Sequence, residues 1–192
     1  MDVFSYLAEH FDLPILDWLA EHLHCGFLDA VMPVITVLGN GGIFWIALAL
    51  VFILLPKYRK AGLSMGLALL MGLLVCNLTL KPLVARMRPY DYQLEHFGNT
   101  VSLLIKTPHD YSFPSGHTIA SFEGAVALLL HNRKLGIPAT VLAALIAFSR
   151  LYLYVHYPTD VLVSVGLGVA FAFLSSFLVK QGYRAWDQRK TA

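Results

Sequence analysis

Charge is what this chain has least of. Only 14% of its 192 residues are Asp, Glu, Lys or Arg, 57% are hydrophobic, and the mean hydropathy is +0.65. A soluble domain of this size cannot hide that much apolar surface, so the composition excludes one and points to a chain immersed in lipid. Cysteine is nearly absent too: Cys25 and Cys76 match neither a metal-ligand nor a disulfide spacing and read as two unpaired thiols. No Gly/Ser linker, low-complexity tract or internal repeat divides the sequence, so residues 1–192 are expected to form a single domain. The formal net charge is only +2 and no basic stripe interleaves with aromatics, which argues against a nucleic-acid partner. The amino end lacks a basic region and carries acids, which is not the pattern of a cleavable signal peptide.

Long uncharged runs take the place of charge. Ala61 to Leu80 is an uncharged run of 20 residues, as a helix about 30 Å long, which matches the hydrocarbon thickness of a bilayer. Val161 to Val179 adds 19 more, closed by Lys180. Between Asp29 and Lys57 lie 27 uncharged residues, interrupted by the turn signal Leu38-Gly39-Asn40-Gly41-Gly42. This predicts a short helix before the break and a span over Gly42 to Leu55, with one long tilted helix as the alternative. Further spans are expected over Ser115 to Leu130 and Ile137 to Tyr154, on either side of the polar hinge His131-Asn132-Arg133-Lys134. The expected architecture is therefore an all-α integral membrane protein, a bundle of five transmembrane helices. Ahead of it, Leu13, Ile15, Leu16, Trp18, Leu19 and Leu23 alternate at helical spacing with Asp12, Asp17 and Glu21. That pattern reads equally as an amphipathic interfacial helix or as a surface helix packed on the bundle; residues 1–38 are expected to be interfacial.

Basic residues in short loops mark the cytoplasmic side. Lys57, Arg59 and Lys60 follow the first span, Arg133 and Lys134 the third, and Lys180, Arg184, Arg189 and Lys190 the fifth, which puts nine of the 14 basic residues on one face. The stretch before Lys57 holds six acids and no Lys or Arg, as expected of an extracytoplasmic amino end. The carboxyl end is then cytoplasmic, the setting that of a multi-pass plasma-membrane protein.

Three clusters interrupt the apolar sequence on the opposite, outer face: Lys81 to Arg88-Pro89, Pro114-Ser115-Gly116-His117, and Ser149-Arg150 through His156 to Asp160. Lys81, Arg88 and Arg150 can give charge-assisted hydrogen bonds to phosphate oxygens. Ser115 and the amide of Gly116, at a helix start, can add donors where the dipole favours an anion. His156 can attack phosphorus through an unprotonated nitrogen, and Asp160, four residues on, can hold the other nitrogen in the right tautomer. His117 can protonate the departing oxygen and later activate water. The cations cover the charge that a metal neutralises elsewhere, so neither metal nor cofactor is expected. Singly, each residue has a plainer reading: Lys81 or Arg88 as a snorkelling helix-end cation, Pro114-Ser115-Gly116 as a helix start, His117 as a satisfied polar residue. Arg150 resists such a reading, because a charge after a long apolar stretch is costly without a partner.

At these residues the chain resembles the type 2 phosphatidic acid phosphatase family, which shares its site with the vanadium haloperoxidases. The pattern Lys-x6-Arg-Pro is met by Lys81, Arg88 and Pro89; Pro-Ser-Gly-His by Pro114 to His117; and Ser-Arg-x5-His-x3-Asp by Ser149, Arg150, His156 and Asp160. The resemblance, which covers residues 81–160, implies a helical bundle and a metal-independent lipid phosphatase with His156 as nucleophile, Asp160 as its partner and His117 as acid. Many members have a further span before the short helix, so the resemblance leaves five or six spans. A small, outward-facing example resembles undecaprenyl diphosphate phosphatases; phosphatidylglycerophosphate or phosphatidate hydrolysis is the alternative within the class, and a non-catalytic transporter or scaffold the alternative outside it. Continuous apolar spans exclude a soluble haloperoxidase. The polar loop from Tyr90 to Phe113 is expected to cover the pocket mouth. Glu123, six residues past His117, reads as an acid paired with a neighbour such as Asn77 or Thr79, on a different helical face from His117.

Overall fold

The computed structural model describes residues 3–191, and every regular element among them is helical. Helix α1 (Val3–Leu7) passes through a π-helical turn, Ala8–Asp12, into α2 (Leu13–Leu23); α3 (Gly26–Val37) and α4 (Ile43–Leu54) follow. Helix α5 (Arg59–Gly72) continues through a π-helical stretch, Leu73–Leu80, into α6 (Lys81–Val84), and a short α7 (Pro89–Phe97) precedes the long loop to α8 (Gly116–His131), α9 (Arg133–Tyr152) and α10 (Pro158–Thr191).

The stretch beginning at Arg59, α9 and α10 are each long and apolar enough to cross a membrane, and α3 with α4, meeting at a 41° bend, makes a fourth. Helix α8 has 16 residues, about 24 Å, short of a full hydrocarbon core. All five expected spans are thus helical, while four at most have the length and apolarity of a full crossing. The protein is an all-α integral membrane bundle. The short member is the central one: α8 packs against α9, α10 and α5, and α5 packs against α4. Its buried residues, Thr118, Ile119, Ser121, Glu123 to Leu128, surround most of its axis. The outer helices instead turn Ile43, Val51 and Leu54 of α4, Ile137 and Val141 of α9, and Leu162, Phe173 and Phe177 of α10 outward. Such apolar exposure suits lipid and not water. Between the helices, Ala49, Ala61, Ala68, Ala125, Ala127, Ala143 and Ala172 are buried, since close backbone approach drives packing where both lipid and core are apolar.

Local sequence sets the helix starts. Ser115 caps α8 by accepting from the Thr118 amide, and Asn132 caps α9 by accepting from the Leu135 amide at 3.2 Å. A single capping residue thus separates α8 from α9, tighter than the polar hinge expected. Lys60 Nζ lies 4.6 Å from the Tyr183 ring, and Ser64 bonds His131 at 2.9 Å. The basic loops therefore gather at one end of the bundle, and the three motif clusters at the other.

The two readings of the amino-terminal helices are separated by their contacts. Leu13, Leu16 and Leu19 are buried with Tyr152, Leu153, Val155 and Tyr157, so α2 packs on the motif end of the bundle, leaving Trp18 exposed. Three acids of this amino-terminal segment turn inward, while Glu21 of α2 stays exposed. Asp12 is fully buried, Glu9 accepts from Tyr92 at 2.7 Å, and Asp17 accepts from the Tyr154 hydroxyl.

Candidate active site

A cavity of about 1000 Å³ opens at the motif end and runs down between α4 and α5 beside the start of α8. Lys81, Arg88, Gly116, His117, Arg150 and His156 line its head, and Ile46, Leu50, Ile53, Gly66, Leu69 and Leu73 its walls. From Asn40 to Ile53 along α4 is about 20 Å of helix, so the apolar channel reaches most of the way through a leaflet pair. A polar head over a greasy channel suits an amphiphile with an anionic head group.

The cations arrive from three places. Lys81 opens α6 directly after the π-helical stretch, Arg88 sits just before α7, and Arg150 lies in the last turn of α9. Arg88 is fixed by donating from Nη1 to the Val155 carbonyl and from Nε to the Asp110 carbonyl at 2.7 Å. Arg150 Nη1 donates to Thr36 Oγ1 at 2.6 Å, while its Nε is buried without a hydrogen-bond partner.

His156 lies in the α9–α10 loop, 1% exposed, with Nε2 3.4 Å from Arg88 Nη1. Burial, then the charges of Arg88, Arg150 and Lys81, hold the imidazole well below the ordinary histidine range, Asp110 opposing them. Burial and the cations thus favour the neutral imidazole, with Nε2 on the side of Arg88. Across the ring, Nδ1 is 3.6 Å from Asp160 Oδ2 and makes no hydrogen bond. The expected His–Asp pairing is present as proximity, one short movement from a bond. His117 Nε2 lies 2.8 Å from Asn40 Oδ1 and 3.4 Å from Arg150 Nη1, so it faces the same space from the opposite helix. The turn before α4 approaches this ring so closely that a Cβ on Gly39 would sit 2.6 Å from His117 Cδ2.

Ser115 departs from expectation. It is fully buried, its amide donates to Ser164 Oγ at 2.8 Å and its hydroxyl accepts from Thr118 at 3.0 Å; it holds the start of α8 in place, and Gly116 is the residue that lines the cavity. Glu123 also departs. It lines the same cavity as His117, one side deeper, and its neighbour is Gly72, where a Cβ would collide with it at 2.2 Å, rather than Asn77 or Thr79. Asn77 stands beside Gly116, and Thr79 donates to the Leu74 carbonyl.

Five polar residues of the site have no motif to announce them. Thr36 and Asn40 come from the α3–α4 bend, which the sequence presents only as a turn. Asp110, in the loop that was expected to cover the mouth, accepts from Lys81 and, at 2.6 Å, from Arg88 Nη2. Although burial acts to raise it, those two cations hold its carboxyl well below the carboxylate range. Arg86 and Asp12 join Asp160 in a buried cluster. One signal was available: six acids without a basic residue before Lys57 need partners elsewhere in the chain.

The PAP2 superfamily model matches residues 58–184, more than half of the chain. An undecaprenyl-diphosphatase of Sulfolobus acidocaldarius is 33% identical over 132 residues, 68% of this chain, which spans 61% of that relative's length. A Bacillus subtilis undecaprenyl-diphosphatase is 32% identical over 151 residues, covering 79% of this chain and 75% of its own. Among solved structures, a transmembrane PAP2-type phosphatidylglycerolphosphate phosphatase from Bacillus subtilis superposes with a TM-score of 0.71 at 27% identity, over 93% of this chain and 92% of that one.

Proposed function

The chain belongs to the PAP2 superfamily, and from that premise we propose that it hydrolyses a lipid phosphate through a phosphohistidine, acting at the outer membrane face on undecaprenyl diphosphate to give undecaprenyl phosphate and phosphate. The supporting observation is the meeting of Lys81, Arg88 and Arg150 with two histidines at the head of an apolar channel. The substrate's terminal phosphoryl group binds among the cations, its tail in the channel. His156 Nε2 forms a bond to phosphorus as the bond to the bridging oxygen breaks, and that oxygen takes a proton from His117. The His156 ring closes its Nδ1–H on the fixed Asp160 carboxylate as it gains positive character. His117, now neutral, takes a proton from water, whose oxygen attacks phosphorus and returns His156 to its free state with release of phosphate. Lys81, Arg88 and Arg150 meet the charge on the non-bridging oxygens throughout, so the reaction is expected to persist in EDTA.

The outward orientation rests on the basic loops collecting at the end opposite the cavity mouth. The choice of lipid rests on two relatives named as undecaprenyl-diphosphatases. Phosphatidylglycerophosphate is the second reading, favoured by the extent of the superposition on a phosphatase of that lipid. Purified protein given undecaprenyl diphosphate, phosphatidylglycerophosphate and phosphatidate in separate mixed micelles decides between them. Release of phosphate from the first at the highest kcat/KM is expected. Hydrolysis of the glycerolipids alone overturns the choice of lipid, and hydrolysis of none, with His156→Ala behaving as the parent, overturns the enzyme in favour of a transporter or scaffold.

A further inference from the structure

Resting on the reading of His156 as nucleophile, we infer that Arg86 and Asp12 are positioning residues that set the place and the charge of Asp160, so that the amino-terminal helices, ahead of the matched residues 58–184, serve the reaction. Arg86 Nη1 donates to Asp160 Oδ1 at 2.5 Å and to Thr159 Oγ1 at 2.8 Å, and Nη2 donates to Asp12 Oδ2 at 2.7 Å. Asp12 in turn accepts from the Thr159 amide at 2.8 Å and its hydroxyl at 2.7 Å, which ties the π-helical turn Ala8–Asp12 to the first turn of α10. The guanidinium lies 3.8 Å from the centre of the Tyr157 ring and 5.0 Å from that of Phe4. Ser112 and the Tyr157 amide take the other oxygen of Asp160. With both oxygens held, the carboxylate has no freedom to leave its station 3.6 Å from His156 Nδ1.

Charge makes the second carboxylate meaningful. Arg86 alone would cancel Asp160, leaving nothing to attract the imidazolium that forms on attack. With Asp12 included, two carboxylates and one guanidinium leave a net charge of −1 behind the ring. The other groups facing His156 are Arg88, Arg150, Lys81, His117, Asp110 and Tyr157, of which three are cations that oppose its protonation. The buried triad stands as the counterweight on the far side of the ring. Such a triad contributes little net stability compared with apolar packing, so its cost is better explained by what it does to the neighbouring nucleophile.

The test compares the parent with Arg86→Gln, Arg86→Lys and Asp12→Asn, using two readouts. In ¹⁵N-histidine-labelled protein in micelles, the His156–Asp160 pair binds its proton at higher pH when Arg86 is removed, by about 1 unit, and not at higher pH when Asp12 is removed, because the two substitutions change the local charge in opposite senses. With lipid diphosphate, Arg86→Gln lowers kcat about 100-fold with KM within about threefold, because the phosphate-binding cations remain; Arg86→Lys recovers part of the loss. Single-turnover measurement separates a slower step per competent site from a smaller fraction of folded sites. A loss confined to the amplitude, a rise in KM at constant kcat, or titrations that do not move or move together in both variants overturns the inference. If the parent releases no phosphate, the phosphatase reading fails, while the imidazole titration still decides whether Arg86 and Asp12 govern the pair.

Discussion

Asp110 stands where an anionic ligand would stand. Its carboxylate bonds Lys81 and Arg88, whose side chains are 14% and 4% exposed, while its own is 56% exposed. A phosphoryl group must displace it from both cations before it can bind fully. Pairs with one solvated partner are each worth about 0.2–1 kcal/mol, and two with well-buried cations fall in the upper half of that range, about 1–2 kcal/mol together. Asp110→Asn removes the competing charge and keeps the Arg88 Nε bond to the residue 110 carbonyl, so the cradle stays formed. At 1.4 kcal/mol per tenfold, inhibition by orthovanadate and by inorganic phosphate is expected to tighten about 5- to 30-fold, with KM for the lipid falling in parallel. The gain should shrink as salt is raised, since the competing pair is partly solvated. Inhibition constants measured in micelles across a salt series are the assay. Unchanged or weaker inhibition in Asp110→Asn would refute competition and make Asp110 a support that the cations need.

Three further substitutions or conditions probe the rest of the site. With its pKa held below the ordinary histidine value, His156, the proposed nucleophile, is expected to stay neutral under mildly acid conditions, so the acidic limb of kcat/KM should lie below about pH 6.5; a limb at 7 or above contradicts this, and His156→Ala should leave no acid-labile phosphoenzyme. Gly39→Ala places a methyl 2.6 Å from the His117 ring and 2.9 Å from Ile146, and a forced ring displacement should lower kcat about 10- to 100-fold; parent-like turnover would mean that His117 is not the acid. Glu123 lies about 9 Å along α8 from His117 and leaves Oε1 unpartnered, so Glu123→Gln should keep phosphate release within about twofold, and a loss beyond tenfold would bring it into the reaction.

Much of the site is legible because its chemistry is written as short-range spacing. Lys81 with Arg88, Ser115 to His117, and Arg150 with His156 and Asp160 each sit within one helix end or loop, and the bundle only has to bring three such ends together. Asp110, Asn40 and Asp12 are different. Their partners lie 22 to 77 residues away, and nothing local distinguishes a carboxylate that will meet a buried arginine from one that faces water. Asp12 misleads for a physical reason: helical periodicity sets it among the polar positions, yet it stands just ahead of the Leu13, Leu16 and Leu19 face that docks on the bundle and is buried there against Arg86. The span count suffers similarly. An apolar run reports that a helix avoids water, yet α8 avoids it by being surrounded by its neighbours, so 16 residues suffice there.

The inward-turned acids also change what an approaching lipid meets. Of the six acids before Lys57, Glu9, Asp12, Asp17 and Asp29 each have a tyrosine or arginine partner within the protein. Each of these carboxylates is turned toward a donor of the bundle, so polar contacts as well as Leu13, Leu16 and Leu19 fasten the amino-terminal helices beside the cavity mouth. Under the proposed reading, an anionic amphiphile diffusing in the plane of the bilayer meets a fixed rim there, and its capture becomes a two-dimensional search ending at the cations.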